Sequence, residues 1–403
     1  MKETNYRSLP QFLSAIAISI GASIVGTFMS FTSVALPKMM NVTKQTENSS
    51  NFSENSSSHN YMEKETFTID LHQGSWITSL FFIGNIIGCV AGGYINQKIG
   101  ARKIFLISAP ISAVTWIMIA LANELWIIFV SRIISGVIFG LFQANGKVYN
   151  AEIAHPDLRG SLGTVIGNMF AFGSTYTYIL GYLIHSWRLI AWLQLIPCCL
   201  MAISVFFVPE SPYWLVEHGR HQEAKKSLTV LRGTQYDIND EFEEIVNKKK
   251  NKEAKGKSTL QTLCSRTFFL PFLRVGSLMM ITQWAGINVI SSYMVNIFME
   301  SGSSIDPSLA PIFVCGVQQC FATISTAVLR VAPRKPLFLT AALAMVIAQF
   351  SMGTYSYLTK DLEEKAFGWV PLSCVMVLNV CRTVGFMTVI QLTLAESFPT
   401  EIR

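Results

Sequence analysis

Two cations stand where apolar segments should hold none: Arg382, near the middle of the stretch 368–394, and Lys147, near the inner end of 126–148. A charge at the centre of a bilayer costs about 2.5–3.5 kcal/mol on insertion scales, so Arg382 must face a polar cavity or the carbonyls of a neighbouring helix. Lys147 can snorkel to the interface. Two further groups pair acid with base at fixed spacing, Glu152 to Arg159 and Glu396 to Arg403, with six residues between in each. Such carboxylates and guanidinia suit directional, reversible contacts.

The chemistry these residues exclude is as informative. Each of the 25 Asp and Glu residues lies in a loop or at the end of an apolar stretch, and none of the six histidines is mid-stretch. A proton-driven carrier relays its proton through an intramembrane acid or histidine, so passive movement is expected. The nearest approach to a nucleotide-binding loop, Gly140 to Gly146-Lys147-Val148, has the wrong spacing and no hydroxyl. No enzyme, catalytic residue, cofactor or metal site is expected, and nucleic acid is not an expected partner: the basic run Lys248–Lys250 lies in a mixed-charge loop beside Glu243 and Glu244. That loop is expected to be solvated or to touch anionic lipid.

The elements that position these residues are membrane helices. Hydrophobic residues make up 51% of the chain and charged residues 14%, a composition that a soluble surface of this length does not tolerate. About 20 apolar residues span a bilayer, and the pattern predicts spans at 11–37, 76–96, 104–122, 126–148, 161–184, 188–208, 272–296, 309–329, 337–358 and 368–394. With the N-terminus cytoplasmic, Lys98, Arg102, Lys103, Arg159, Arg330, Arg334, Lys335 and the basic residues between Pro209 and Leu270 fall inside, as the positive-inside rule requires. The same orientation places 38–75 outside, where Asn41, Asn48, Asn51 and Asn55 head four glycosylation sequons. Passage to the plasma membrane follows. None of the eight cysteines lies in that loop, so no disulfide framework is expected.

The acid–base octapeptides recur at the same place in two halves, and internal repetition is typical of secondary transporters. The expected organisation is an all-α polytopic chain: a six-helix bundle over 1–208, a cytoplasmic loop over 209–271, and a second bundle over 272–403. By the repeat, two more spans are expected after Arg403, giving six plus six.

Several motifs resemble the sugar porter family of the major facilitator superfamily, and within it the facilitative glucose and trehalose transporters of insects. The run Gly93-Tyr94-Ile95-Asn96-Gln97-Lys98-Ile99-Gly100-Ala101-Arg102-Lys103 is similar to the family's Gly-x-x-x-Asp-Arg-x-Gly-Arg-Arg, with Gln97 for Asp and Ala101 for Arg. Tyr149, Glu152, Arg159 and Gly160 resemble its Tyr-x-x-Glu and Arg-Gly, and Pro209-Glu210-Ser211-Pro212-Tyr213-Trp214-Leu215 its Pro-Glu-Ser-Pro-Arg-Trp-Leu. Gln283-Trp284-Ala285-Gly286-Ile287-Asn288 resembles Gln-Gln-x-x-Gly-Ile-Asn, with Thr282 in place of the first Gln.

The resemblance implies alternating access, with Arg102, Glu152, Arg159 and Glu210 latching the first half and Arg334, Glu396 and Arg403 the second. It implies sugar contacts at Gln283, Asn288 and Gln318, because amides both donate to and accept from hydroxyls. On an ideal helix Gln283 and Asn288 lie about 140° apart, so both reach one cavity only if the helix breaks near Gly286. Departures from the family are equally plain. Gly167 stands where many glucose transporters have Gln, with Asn168 beside it, and the Gly-Pro-x-Pro-Trp break reads Gly385-Phe386-Met387-Thr388-Val389-Ile390-Gln391, leaving Gln391 as a replacement contact. Facilitated diffusion of a hexose or trehalose is the leading reading; a carrier of another small polar or anionic solute, and a non-transporting sensor or truncated isoform, are the alternatives. Oligomeric state is left open.

Overall fold

The structure, a computed structural model, describes residues 8–49, 69–155, 158–233, 236–254, 266–301, 306–331, 333–359, 367–387 and 389–390. The first part is helical throughout: α1 (Ser8–Ser49), α2 (Leu71–Ile99), α3 (Ala101–Ala120), α4 (Leu125–Ile153), α5 (Arg159–Leu183), α6 (Trp187–Leu193) and α7 (Leu195–Phe206). Then come α8 (Pro212–Glu217), α9 (His221–Arg232) and α10 (Asn239–Ala254). The last part holds α11 (Arg266–Trp284), α12 (Ile287–Ser292), α13 (Met294–Glu300), α14 (Ala310–Val331), α15 (Arg334–Leu358) and α16 (Trp369–Cys381), closed by a π-helical turn, Arg382–Met387.

Among the described residues, seven helical stretches are long and apolar enough to cross a membrane: Leu9–Met40, Leu71–Ile99, Ala101–Ala120, Leu125–Ile153, Trp187–Phe206, Lys335–Leu358 and Trp369–Phe386. The other three expected segments, 161–184, 272–296 and 309–329, are helical too, and two of the ten expected segments are interrupted. The segment expected at 272–296 is broken at Gly286, whose φ of 71° lies in the left-handed region, and again at Tyr293. The one expected at 188–208 is interrupted at Gln194, whose Nε2 donates to Thr177 Oγ1 at 3.1 Å.

Three boundaries move. Helix α1 runs on to Ser49, through the first two sequons, because nothing between Pro37 and Ser49 stops it. Asp70 fixes the start of α2 at Leu71 with a capping box: its carboxylate accepts the Leu71 N–H at 2.7 Å, and Gln73 Oε1 accepts the Asp70 N–H at 3.1 Å. Helix α11 starts at Arg266. In the inter-bundle segment the mixed-charge run is solvated, with the side chains of Lys248 57% and Glu244 65% exposed, while the described part is helical and Trp214, Leu215, Val216, Ala224, Leu228 and Ile245 bury one another between α8, α9 and α10.

Helices α2 and α4 touch backbone to backbone. A Cβ added at Gly84 would stand 2.2 Å from Ile133 O, at Gly88 2.1 Å from Val137 O, at Gly136 2.0 Å from Phe81 O and at Gly140 2.4 Å from Asn85 O. The Gly84–Gly88 and Gly136–Gly140 pairs form facing small-xxx-small stripes, which allow close approach and the dispersion contacts that replace hydrophobic drive inside lipid. Helices α1 and α5 repeat the device, with Gly26 against Phe170 O and Gly173 against Ser23 O. Around these pairs lies a core that includes Phe28 stacked on Trp116, ring centroids 4.8 Å apart. Met294, Val295, Phe298 and Val314 of the second part join this core, whereas Val275, Ile287, Met345, Leu378 and Phe386 form a separate one.

Candidate functional site

The two parts meet at one end, marked by Lys38, whose ammonium caps α5 through Gly181 O at 2.6 Å and Ile184 O. Below that end, Tyr178 OH of α5 donates to Ser291 O of α12 at 3.2 Å, and the Val295 N–H of α13 donates to Ser33 Oγ of α1 at 3.1 Å. Between them lies a cavity of about 20 Å³, enough for roughly one water.

Both parts line this cavity. From α1 and α5 come Ser30, Ser174 and Tyr178; from α12, α14, α16 and the π turn come Ser291, Gln318, Asn379 and Arg382. Phe170, Ser174 and Tyr178 recur every four residues, so one stripe of α5 faces the cavity beside Met29 and Ser30 of α1. Asn379 is buried and donates Nδ2 to Val375 O at 3.0 Å. Arg382 opens the π turn, and its buried Nε has no hydrogen-bond partner.

The expected contacts divide. Gln318 lines the cavity. Gln283 and Asn288 do not; the broken helix instead lets Asn288 Nδ2 donate to Gln283 Oε1 at 2.8 Å across Gly286. The helix is thus broken where the 140° offset requires, and Asn288 sits one turn before the lining residue Ser291. Asn168 is off the lining stripe of α5, with Oδ1 buried and unbonded. Gln391 lies outside the described residues.

The opposite end holds the acids. Glu210 Oε1 accepts the backbone N–H of Arg102 at 3.2 Å and that of Ser211 at 3.1 Å. Burial pushes the Glu210 carboxyl above the usual carboxylate range, and these two N–H donors and the Arg102 charge pull it partly back. Ser211 Oγ donates to Glu152, Tyr149 OH to Pro209 O at 2.6 Å, and Trp214 Nε1 to Gln97 O at 3.3 Å. Gly100, at φ 86°, lets the turn pass: a Cβ there would meet Glu210 Oε2 at 2.6 Å.

Of the residues expected in the first-half latch, Glu210 joins Arg102 and Ser211, and Ser211 in turn joins Glu152. Arg102 binds Glu210 through its backbone, while its guanidinium caps α7 at Phe206 O, 2.9 Å away. Arg159 and Arg334 begin α5 and α15, where their side chains are not described; Glu396 and Arg403 lie outside the described residues. Asn41 and Asn48 ride on the end of α1 without described side chains, and Asn51 and Asn55 lie outside the described residues.

Sequence reasoning missed three features. Arg132 is buried in α4, donates Nη1 to Phe28 O at 3.0 Å and stands over the Phe31 ring at 5.2 Å. The test that singled out Arg382, a cation well inside an apolar stretch, would have found it. Arg232, also buried, grips both Glu241 oxygens (2.9 and 2.6 Å) and Ile153 O (2.8 Å), tying α9 and α10 to the end of α4. The serines of the cavity gave no signal, since serine is common on helices at packed interfaces.

Comparison with known proteins agrees with this architecture. The family model described as sugar (and other) transporter matches residues 17–403. The facilitated trehalose transporter Tret1 of Apis mellifera ligustica is 31% identical over 410 residues, covering 100% of this chain and 76% of that protein. Tret1 of Polypedilum vanderplanki is 30% identical, covering 98% and 74%. Among solved structures, the proton:xylose symporter XylE bound to 6-bromo-6-deoxy-D-glucose superposes with a TM-score of 0.77 at 23% identity, covering 98% of this chain and 84% of that one. The partially occluded inward-open form of XylE from E. coli gives 0.73 at 21%, covering 96% and 88%. Helical membrane architecture and family match converge: this chain is a multi-pass carrier belonging to the sugar (and other) transporter family.

Proposed function

We propose that the chain moves a sugar of hexose or trehalose size by facilitated diffusion, through a cavity opened alternately to either side between the bundles 1–208 and 272–403. One observation carries this reading: Gln318, Asn379 and Ser291 of one part face Ser30 and Ser174 of the other across a single cavity. Amides and hydroxyls of that kind exchange hydrogen bonds with sugar hydroxyls at about 0.5–1.5 kcal/mol net each. The trehalose carriers among its relatives support the choice of substrate. The cavity as described is too small for a hexose, so the Tyr178–Ser291 and Val295–Ser33 bonds must loosen before sugar enters.

The passive mode rests on the sequence, which places no acid in the interior of an apolar stretch. Plasma-membrane residence with a cytoplasmic N-terminus rests on the basic residues near Arg102 and Lys335 and on the sequons of the 38–75 segment. In that orientation the Glu210 cluster is cytoplasmic and acts, with Glu152, Arg102 and Arg159, as the latch that holds the first bundle's inner turns. The counterpart at Arg334, Glu396 and Arg403 does the same for the second.

Tracer flux of glucose, trehalose and fructose into vesicles containing the purified chain tests the substrate. Saturable flux of at least one sugar is expected; no flux of any removes the proposal. For orientation, a glycosidase gel shift is expected, and antibody access to 45–60 only after permeabilisation would invert the topology.

A further inference from the structure

The cavity carries a charge that no hexose hydroxyl needs. Arg382 lines it with Ser30, Ser174, Ser291, Gln318 and Asn379, and its Nε is buried without a hydrogen-bond partner. The ion pairs Arg220–Glu223, Arg232–Glu241 and Lys248–Glu244 lie elsewhere, at the start of α9 and along α9 and α10. Arg132 shows the alternative arrangement: it too is buried in an apolar helix, yet it spends its guanidinium on Phe28 O and the Phe31 ring. Arg132 also leaves its Nε without a partner, but among the described residues Arg382 has no carbonyl or ring contact of that kind, and guanidinium does not deprotonate in proteins.

Its place in the helix aims it at the cavity. Arg382 begins the π turn Arg382–Met387, and single π turns inside α-helices shift the side chains that follow and cluster at functional sites. One turn earlier, Asn379 is committed to Val375 O through Nδ2, so the polar wall beside Arg382 is set. A guanidinium presents a planar fork that matches a carboxylate with two parallel hydrogen bonds.

Resting on the sugar-carrier reading, we propose that the preferred substrate is a sugar carrying one carboxylate, a uronate or aldonate, with Arg382 holding the carboxylate and the amides and serines holding the hydroxyls. One guanidinium balances one negative charge; a phosphate dianion would leave negative charge uncompensated in a site of low polarity. Glu396, the next acid along the chain, lies outside the described residues.

The test is tracer flux in proteoliposomes with glucuronate, its uncharged methyl ester and glucose, for the wild-type chain, R382Q, R382K and E396Q. Glucuronate is expected to move at least tenfold faster than either neutral sugar in the wild type. R382Q should bring that ratio to about one or below, with R382K intermediate, because lysine keeps the charge and loses the fork; E396Q should leave the preference in place. Equal or faster flux of glucose in the wild type would overturn the inference and leave the sugar reading standing. Preference for glucuronate that survives in R382Q would overturn the assignment to Arg382. If R382Q does not fold, the wild-type ratio and R382K decide. Absence of flux with all three solutes would remove the sugar-carrier reading itself, and this inference with it.

Discussion

Helices α2 and α4 meet through glycine and bare backbone, whereas α14 and α15 meet their neighbours through side chains. At Gly136 an added Cβ would sit 2.0 Å from a carbonyl oxygen; at Gly316 of α14 and Gly353 of α15 it would meet nothing within 4 Å. The outer surface of α15 is open as well, with Leu343 and Val346 each 63% exposed and Phe350 76%. A backbone contact admits one register, because nothing in it can rotate out of the way. Side-chain contacts tolerate small sliding, the shear by which packed helices change state. The pair α2–α4 therefore behaves as a fixed spar, and the movement a carrier needs falls to the interface of α5 with α14 and to the broken segment α11–α13.

Overpacking the spar is the strongest way to break this comparison. Gly136→Leu should cost about 3 kcal/mol or more and abolish monodisperse protein in detergent, since overpacking usually costs 1–3 kcal/mol and here the obstacle is backbone on both sides. Gly353→Ala in α15 should change the melting temperature little, or raise it slightly through helix propensity. Equal damage at both positions would mean that the two regions are packed alike.

At the Glu210 end the expected effect is smaller. Both N–H donors converge on one oxygen, Oε1, so Glu210→Gln can keep both bonds while Glu210→Ala loses them, at about 1–3 kcal/mol for two. The pH dependence has a definite sign. With its folded carboxyl raised, Glu210 destabilises the fold once ionised, so its unfavourable contribution is absent below the unfolded value and grows as pH rises through the raised one. Thermal melts from pH 4 to 8 should show a shallower fall in stability with rising pH in Glu210→Gln than in the wild type.

The smallest effect is expected at the hinge. Gln283→Leu or Asn288→Leu removes the bond across Gly286 and should weaken sugar flux several-fold at unchanged expression. Unaltered flux in both would make the pair a helix staple only.

The sequence carried much of this. Apolar length marked the helical segments expected as spans, and helix arithmetic made a break near Gly286 the condition for Gln283 and Asn288 to share a cavity; the break is present, though the pair does not line the cavity. Gln318 was legible because an amide in an apolar stretch is chemically conspicuous; among the described residues it alone of the expected contacts lines the cavity. What stayed hidden depends on partners distant in sequence. The glycine spacing in α2 and α4 was visible, but that Gly136 would meet Phe81 O was not, and nothing in the 209–271 composition announced that Trp214 and Ile245 would share a core. Ser30 and Ser174 look like any helix serines until α12 and α14 are placed opposite them.

The central claim is passive sugar transport through the cavity between the two bundles. It is tested most directly by following tracer sugar into proteoliposomes of the purified chain until uptake stops, with and without a protonophore. Uptake that saturates with concentration, levels off at the external concentration and ignores the protonophore is the predicted result. Accumulation above the external concentration that collapses with the protonophore would contradict it.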